Sequence, residues 1–109
     1  MNDSEDLSWH EVTALSDLFD GAGLEFEVSG RIVALFRVGD AVHATAPMCT
    51  HGRARLCEGF IEDGSIECPL HQGRFDLKTG APMCAPVTEA LVIHPARVEA
   101  GRIWVALRP

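Results

Sequence analysis

Residues 47–87 read PMCTHGRARLCEGFIEDGSIECPLHQGRFDLKTGAPMCAPV, and this stretch decides the fold. Two short motifs sit inside it, Cys49-Thr50-His51 and Cys68-Pro69-Leu70-His71, with 16 residues between them. Each offers one thiolate and one imidazole on a tight turn, so the two turns together supply two sulfurs and two nitrogens. Gly52 and Gly73 follow the motifs closely, and glycine lets backbone N–H groups approach a ligand or its thiolates. The apolar residues of the stretch are scattered among Gly, Pro, Cys and His. The expectation is therefore that it buries too little apolar area to order itself and that a bound metal centre fixes it.

Two metal readings compete. One tetrahedral zinc on two Cys and two His is chemically reasonable. Zinc turns, however, usually give two like ligands each, whereas each turn here gives one of each kind. A two-iron cluster suits that mixed supply, with both cysteines on one iron and both histidines on the other.

Working outward, the flanks read as strands. Leu24–Val28 alternates apolar and acidic residues, and Arg31–Val38 is a β-branched and aromatic run suited to a central strand. Ser29-Gly30 joins them by a turn, and Gly39-Asp40 leads into a returning strand, Ala41–Ala46. Ala90–Val98 and Arg102–Leu107 flank Glu99-Ala100-Gly101, another hairpin. Thr13–Phe19 is expected to form one or two helical turns with Ser16 as a cap. The whole is an all-β chain: an antiparallel β-sandwich or open barrel base carrying a small subdomain at about residues 47–87.

Length and charge restrict function. At 109 residues, 47% hydrophobic and 23% charged, the sequence fits one domain, residues 1–109. It offers no apolar run near the roughly 20 residues that span a bilayer. The polar, acidic start does not read as a secretory signal, which makes the cytoplasm the expected compartment. Residues 1–50 carry nine acids and two bases, and residues 51–109 seven of each, giving a net charge of −7 that resides in the first half. Such a balance argues against nucleic acid, whose phosphates need clustered cations.

The segment Cys68–Gly80 (CPLHQGRFDLKTG) and the following Cys84-Ala85-Pro86-Val87 resemble Rieske-type ferredoxins of bacterial aromatic-ring-hydroxylating oxygenase systems, of the naphthalene-dioxygenase kind. The resemblance implies one [2Fe-2S] cluster held by Cys49 and Cys68 on the inner iron and by His51 and His71 on the outer. It implies the Rieske fold and a soluble, monomeric electron carrier with no catalytic residues of its own. The implied partners are a flavoprotein reductase that uses NAD(P)H and a terminal aromatic-ring-hydroxylating oxygenase, with neither membrane nor nucleic acid involved. Two other classes share the motifs: the small Rieske-like subunit of an assimilatory reductase such as nitrite reductase, and a zinc-binding or redox-sensing module.

High-potential relatives add a cysteine to each loop, where this chain has Ala54 and Leu70. They also place serine and tyrosine hydroxyls near the cluster, where it has Gly73 and Phe75. Fewer donors imply a potential near the ~ −150 mV end of the Rieske range. Cys57 and Cys84 are read as small, buried and inert, and His10, His43 and His94 as structural. Met48, Pro69, Leu70, Met83 and Pro86 are expected to form an apolar collar around the histidines.

Overall fold

The computed structural model describes residues 8–70 and 72–109. Its strands run in the order β1 (Trp9–Ala14), β2 (Gly23–Val28), β3 (Arg31–Val38), β4 (Ala41–Thr45), β5 (Phe60–Glu62), β6 (Ser65–Glu67), β7 (Arg74–Asp76), β8 (Pro82–Cys84), β9 (Ile93–His94), β10 (Ala96–Glu99) and β11 (Arg102–Ala106). They form three antiparallel sheets with strand orders β1-β11-β10, β2-β3-β4-β9 and β5-β6-β7-β8.

Local turn chemistry sets the hairpins. Ser29 (φ 50) and Gly30 (φ 82) both adopt left-handed conformations between β2 and β3, as do Ala100 (φ 51) and Gly101 (φ 74) between β10 and β11. Two successive left-handed residues match the right-handed twist of the strands they join. Asp63 (φ 52) and Gly64 (φ 76) repeat the device between β5 and β6.

β3 organises the molecule. Its Val33 and Leu35 join Leu18, Val28, Val42, Ala44, Ile103 and Val105 in one core, between the sheet β1-β11-β10 and the sheet β2-β3-β4-β9. Its Ala34 and Phe36 project to the other side and join Leu56, Ile66, Phe75, Leu77, Val87 and Leu91 in a second core. All four β3 residues are fully buried. The alternation of a strand thus serves two cores, one per face.

Three expectations from the sequence are corrected. Residues 47–87 do bury apolar area: Leu56, Ile66, Phe75 and Leu77 are inaccessible to water, packed in one core with Ala34 and Phe36 of β3 before any metal is considered. Ala90–Val98 is not one strand. It breaks at Pro95, which has no N–H to give a ladder, so β9 pairs with β4 while β10 pairs with β11. Thr13–Phe19 begins as the end of β1 and holds only one 3-10 turn, Leu15–Asp17; the residue before it is Ala14 and no side chain caps it, so Ser16 is not the cap.

Candidate metal centre

The two motif turns approach each other across the second core. The turn after β4 is closed by the Cys49 N–H donating to the Ala54 carbonyl (2.9 Å) and the Ala54 N–H to the Gly52 carbonyl (3.0 Å). The turn after β6 is closed by the Cys68 N–H donating to the Gly73 carbonyl (2.7 Å) and the Gln72 N–H to the Cys68 carbonyl (3.2 Å). Gln72 is left-handed (φ 61), a conformation few side chains favour, and it brings the chain back into β7.

The cysteine sulfurs are the inner part of the site. Cys49 and Cys68 are 6% and 1% exposed, and their side chains lie within hydrogen-bonding reach of each other. The backbone N–H of His51 donates to Cys49 Sγ at 3.4 Å, and the Gly52 N–H also stabilises that sulfur. Burial pushes the Cys49 thiol above its ordinary value, the Cys68 thiol adds to that rise, and the two backbone N–H groups oppose it. Two buried sulfurs facing each other under backbone donors suit a cation that takes both as thiolates and displaces their protons.

Gly73 explains how tightly the second turn is packed. A Cβ at this position would meet Val87 Cγ1 at 2.6 Å. Val87 is 4% exposed and branched at Cβ, so it has little freedom to withdraw. The serine that high-potential relatives carry here would collide with this valine. Phe75, which stands in place of a tyrosine, is fully buried and offers no hydroxyl.

Of the expected ligands, the structure brings Cys49 and Cys68 together and leaves the His51 side chain exposed beside them. His71 lies outside the described residues. Among the described residues no three His, Cys, Asp or Glu side chains converge on one point.

The remaining cysteines divide. All four are free thiols. Cys57 is half-buried, whereas Cys84 is exposed at the end of β8, so the expectation of a buried, inert Cys84 is corrected. Its register opposite Arg74 puts it on the outermost strand of the sheet, where no layer covers it. Met48, Leu70 and Met83 are 40%, 56% and 54% exposed, and Pro69 is exposed while Pro86 is half-buried. The loop acids are largely neutralised: Arg74 reaches Glu62 (2.8 Å) and Glu67 (3.0 Å), and Arg55 reaches Glu25 (2.8 Å) and Glu58 (3.4 Å).

Residues 8–95 match the profile of the Rieske [2Fe-2S] domain. The chain belongs to that family. It is 45% identical over 101 residues to the ferredoxin component of the naphthalene 1,2-dioxygenase system of Pseudomonas putida, covering 93% of this chain and 97% of the relative. Its structure is similar to the ferredoxin of carbazole 1,9a-dioxygenase from Nocardioides aromaticivorans IC177, with a TM-score of 0.87, 36% identity, and coverage of 93% and 99%. It is also similar to a chain in the complex of reduced oxygenase and oxidised ferredoxin of carbazole 1,9a-dioxygenase, with a TM-score of 0.82, 39% identity, and coverage of 90% and 92%. This Rieske protein is an electron-transfer component rather than an enzyme, its prosthetic group is a Rieske-type [2Fe-2S] cluster, and its fold is the antiparallel all-β fold expected from the sequence. No helix among the described residues is long and apolar enough to cross a membrane.

Proposed function

We propose that Cys49 and Cys68 ligate the inner iron, that His51 and His71 ligate the outer, and that residues 47–87 are the cluster-binding subdomain. The observation that carries this reading is the pair of buried, facing thiols with the exposed His51 side chain beside them. When bound, the cluster supplies reversible storage of one electron. The chain's own residues do the rest: Leu56, Ile66, Phe75 and Val87 exclude water from the sulfur side, while His51 leaves an edge that a docked protein can reach. Replacing two thiolates by neutral imidazoles raises the potential relative to all-cysteine clusters, and the lack of hydroxyls at Gly73 and Phe75 keeps it at the low end for this class.

The partners of this reading are those that the similar ferredoxin components point to. Electrons pass from a flavoprotein reductase that uses NAD(P)H to a terminal oxygenase that hydroxylates an aromatic compound. The chain acts as a cytoplasmic monomer. Met48, Leu70 and Met83, all exposed in the ligand-bearing region, offer apolar surface of the kind that small, transient electron-transfer contacts use. A permanent subunit of an assimilatory reductase would need a broader apolar surface for lasting association. A zinc module would hold a single ion and no acid-labile sulfide.

Reconstitution tests this. The purified protein is expected to be red-brown, to hold two irons and two acid-labile sulfides, and to support NAD(P)H-driven oxygenase turnover when reductase is added. Cys68→Ser is expected to lose iron, sulfide and colour together. Leu70→Asp is expected to keep the colour and slow transfer to the oxygenase. A colourless protein with one zinc overturns the ligand assignment, and undiminished transfer by Leu70→Asp removes the docking face.

A further inference from the structure

Nine Lys and Arg side chains serve a chain with sixteen Asp and Glu, so a cation without a carboxylate partner is unexpected here. Arg37, Arg55, Arg74, Arg97 and Arg102 each reach a carboxylate. Among the described residues Arg31, Arg53, Lys78 and Arg108 reach none. Two of these four, Lys78 and Arg108, line the same open cleft of about 630 Å³. A third, Arg31, donates to the Arg108 carbonyl at 2.6 Å.

The cleft lies between the turn after β7 and the segment around β9, away from the two ligand motifs in sequence. Its wall is apolar on one side, where Val92, Ile93 and Pro95 line it, Thr79 stands next to Lys78 on the other, and Pro109 lines it beside Arg108. Arg108 is held in place rather than free to wander. Its Nε donates to the Ile93 carbonyl (2.9 Å), and its backbone N–H donates to Nδ1 of the buried His94 (2.9 Å). A guanidinium fixed in advance loses less freedom when it takes a ligand. The nearby acid, Asp76, is already engaged: its Oδ1 accepts from the Lys78 and Thr79 backbone N–H groups at 2.7 and 3.2 Å.

Two histidines lie within reach of these charges. His94 is held below its ordinary value, first by burial and then by the charges of Arg31 and Arg108. His43 is lowered by burial and by Lys78, with Asp76 partly opposing. Arg31 and Arg108 thus act on the His94 imidazole and Lys78 on that of His43, with Asp76 of opposite sign beside Lys78.

We propose that this cleft is a binding site for a small organic anion, one with a carboxylate head and an apolar body. The Lys78 ammonium and the terminal nitrogens of Arg108 take the head, while the body lies on Val92, Ile93 and Pro95. The cleft is open to solvent, and its mixture of an apolar wall with two cationic side chains is of the kind that small-molecule sites use. Arg supplies a planar fork matched to a carboxylate and Lys a compact point charge.

The test uses the cluster-loaded full-length protein and benzoate as the probe, followed through the backbone amide shifts of Thr79, Ile93 and Arg108. Saturable shifts at these amides are expected. Benzamide, which keeps the ring and loses the charge, is expected to bind at least tenfold more weakly. Inorganic phosphate, which keeps charge and loses the ring, is also expected to bind more weakly. Lys78→Gln/Arg108→Gln is expected to lose at least tenfold in benzoate affinity with the cluster absorbance unchanged; Lys78→Gln alone, which leaves the Arg108 hydrogen bonds intact, is expected to show a smaller loss with the melting temperature unchanged as well. Equal binding of benzamide or phosphate, undiminished benzoate binding by both variants, or no saturable shift in millimolar benzoate overturns the assignment.

Discussion

In the base, β3 turns Val33 and Leu35 toward β11, where Ile103 and Val105 close a core built from strands on both sides. In the tip, the same strand turns Ala34 and Phe36 toward short strands of three residues each and loops that carry the two cysteines. The base closes itself with hairpins and long ladders. The tip has no layer behind its second core except the base. Order in the ligand loops is thus set partly by a strand that carries no ligand.

That comparison can be broken at Phe36 and Leu35, both fully buried on opposite faces of one strand. Each truncation to alanine is expected to cost about 2–5 kcal/mol, since a large side chain leaves a cavity in either core. The two should differ in kind. Phe36→Ala is expected to speed the loss of iron under mild denaturant, while Leu35→Ala lowers overall stability without a separate early loss. Parallel urea titrations read by cluster absorbance and by far-ultraviolet circular dichroism check this. Equal behaviour of the two variants removes the idea of two faces with two duties.

Gly73 sharpens it next. Gly73→Ala places a Cβ 2.6 Å from Val87 Cγ1, and overpacking of this sort is expected to cost about 1–3 kcal/mol. Adding Val87→Ala is expected to recover part of that loss, so that the double variant is more stable than the sum of the single effects allows. Thermal melts of the four proteins in the cycle decide it.

A smaller effect is expected at the base alone. Because His94 resists protonation when folded, the unfolded chain takes up its proton first as pH falls below about 6.5. The stability contributed by the neutral imidazole is therefore fully present above that pH and is lost as pH falls toward the folded value. His94→Asn keeps an acceptor near Nδ1 for the Arg108 N–H but cannot titrate. Its melting temperature is expected to fall less between pH 7 and 5 than that of the parent. His43, also lowered, keeps some slope in both proteins.

The smallest effect is expected where the two regions clasp at the surface. Arg55, beside the 3-10 turn Leu56–Glu58 of the tip, holds Glu25 of β2 through Nε and one terminal nitrogen at 3.1 and 2.8 Å. The arginine is half exposed, so water and salt screen the pair. Glu25→Gln is expected to shift the melting temperature barely at all, and less at high salt than at low.

These regions also differed in how far the sequence revealed them. The hairpins of the base were readable because Ser29-Gly30 and Ala100-Gly101 are short turn signals between alternating runs. Asp63-Gly64 is the same signal, but the scattered residues around it hid strands of only three residues. The ligand motifs stood out by spacing alone. What spacing does not carry is burial: Leu56, Ile66, Phe75 and Leu77 look isolated in the sequence and become a core only when β3 supplies its second face. β1 is hard to bound from the sequence for a related reason: its residues are mostly half-buried on an edge strand and leave no clean period. The exposure of Cys84 depends on which strand lies outermost, a fact of topology rather than of composition.

The double duty of β3 sets a limit on transplantation. A peptide cut at residues 47 and 87 would carry both ligand motifs yet leave Ala34, Phe36 and Leu91 behind. Such an excised loop pair has lost its floor, and grafting it onto an unrelated scaffold succeeds only if the new host offers an aromatic and two small or aliphatic side chains in the same places.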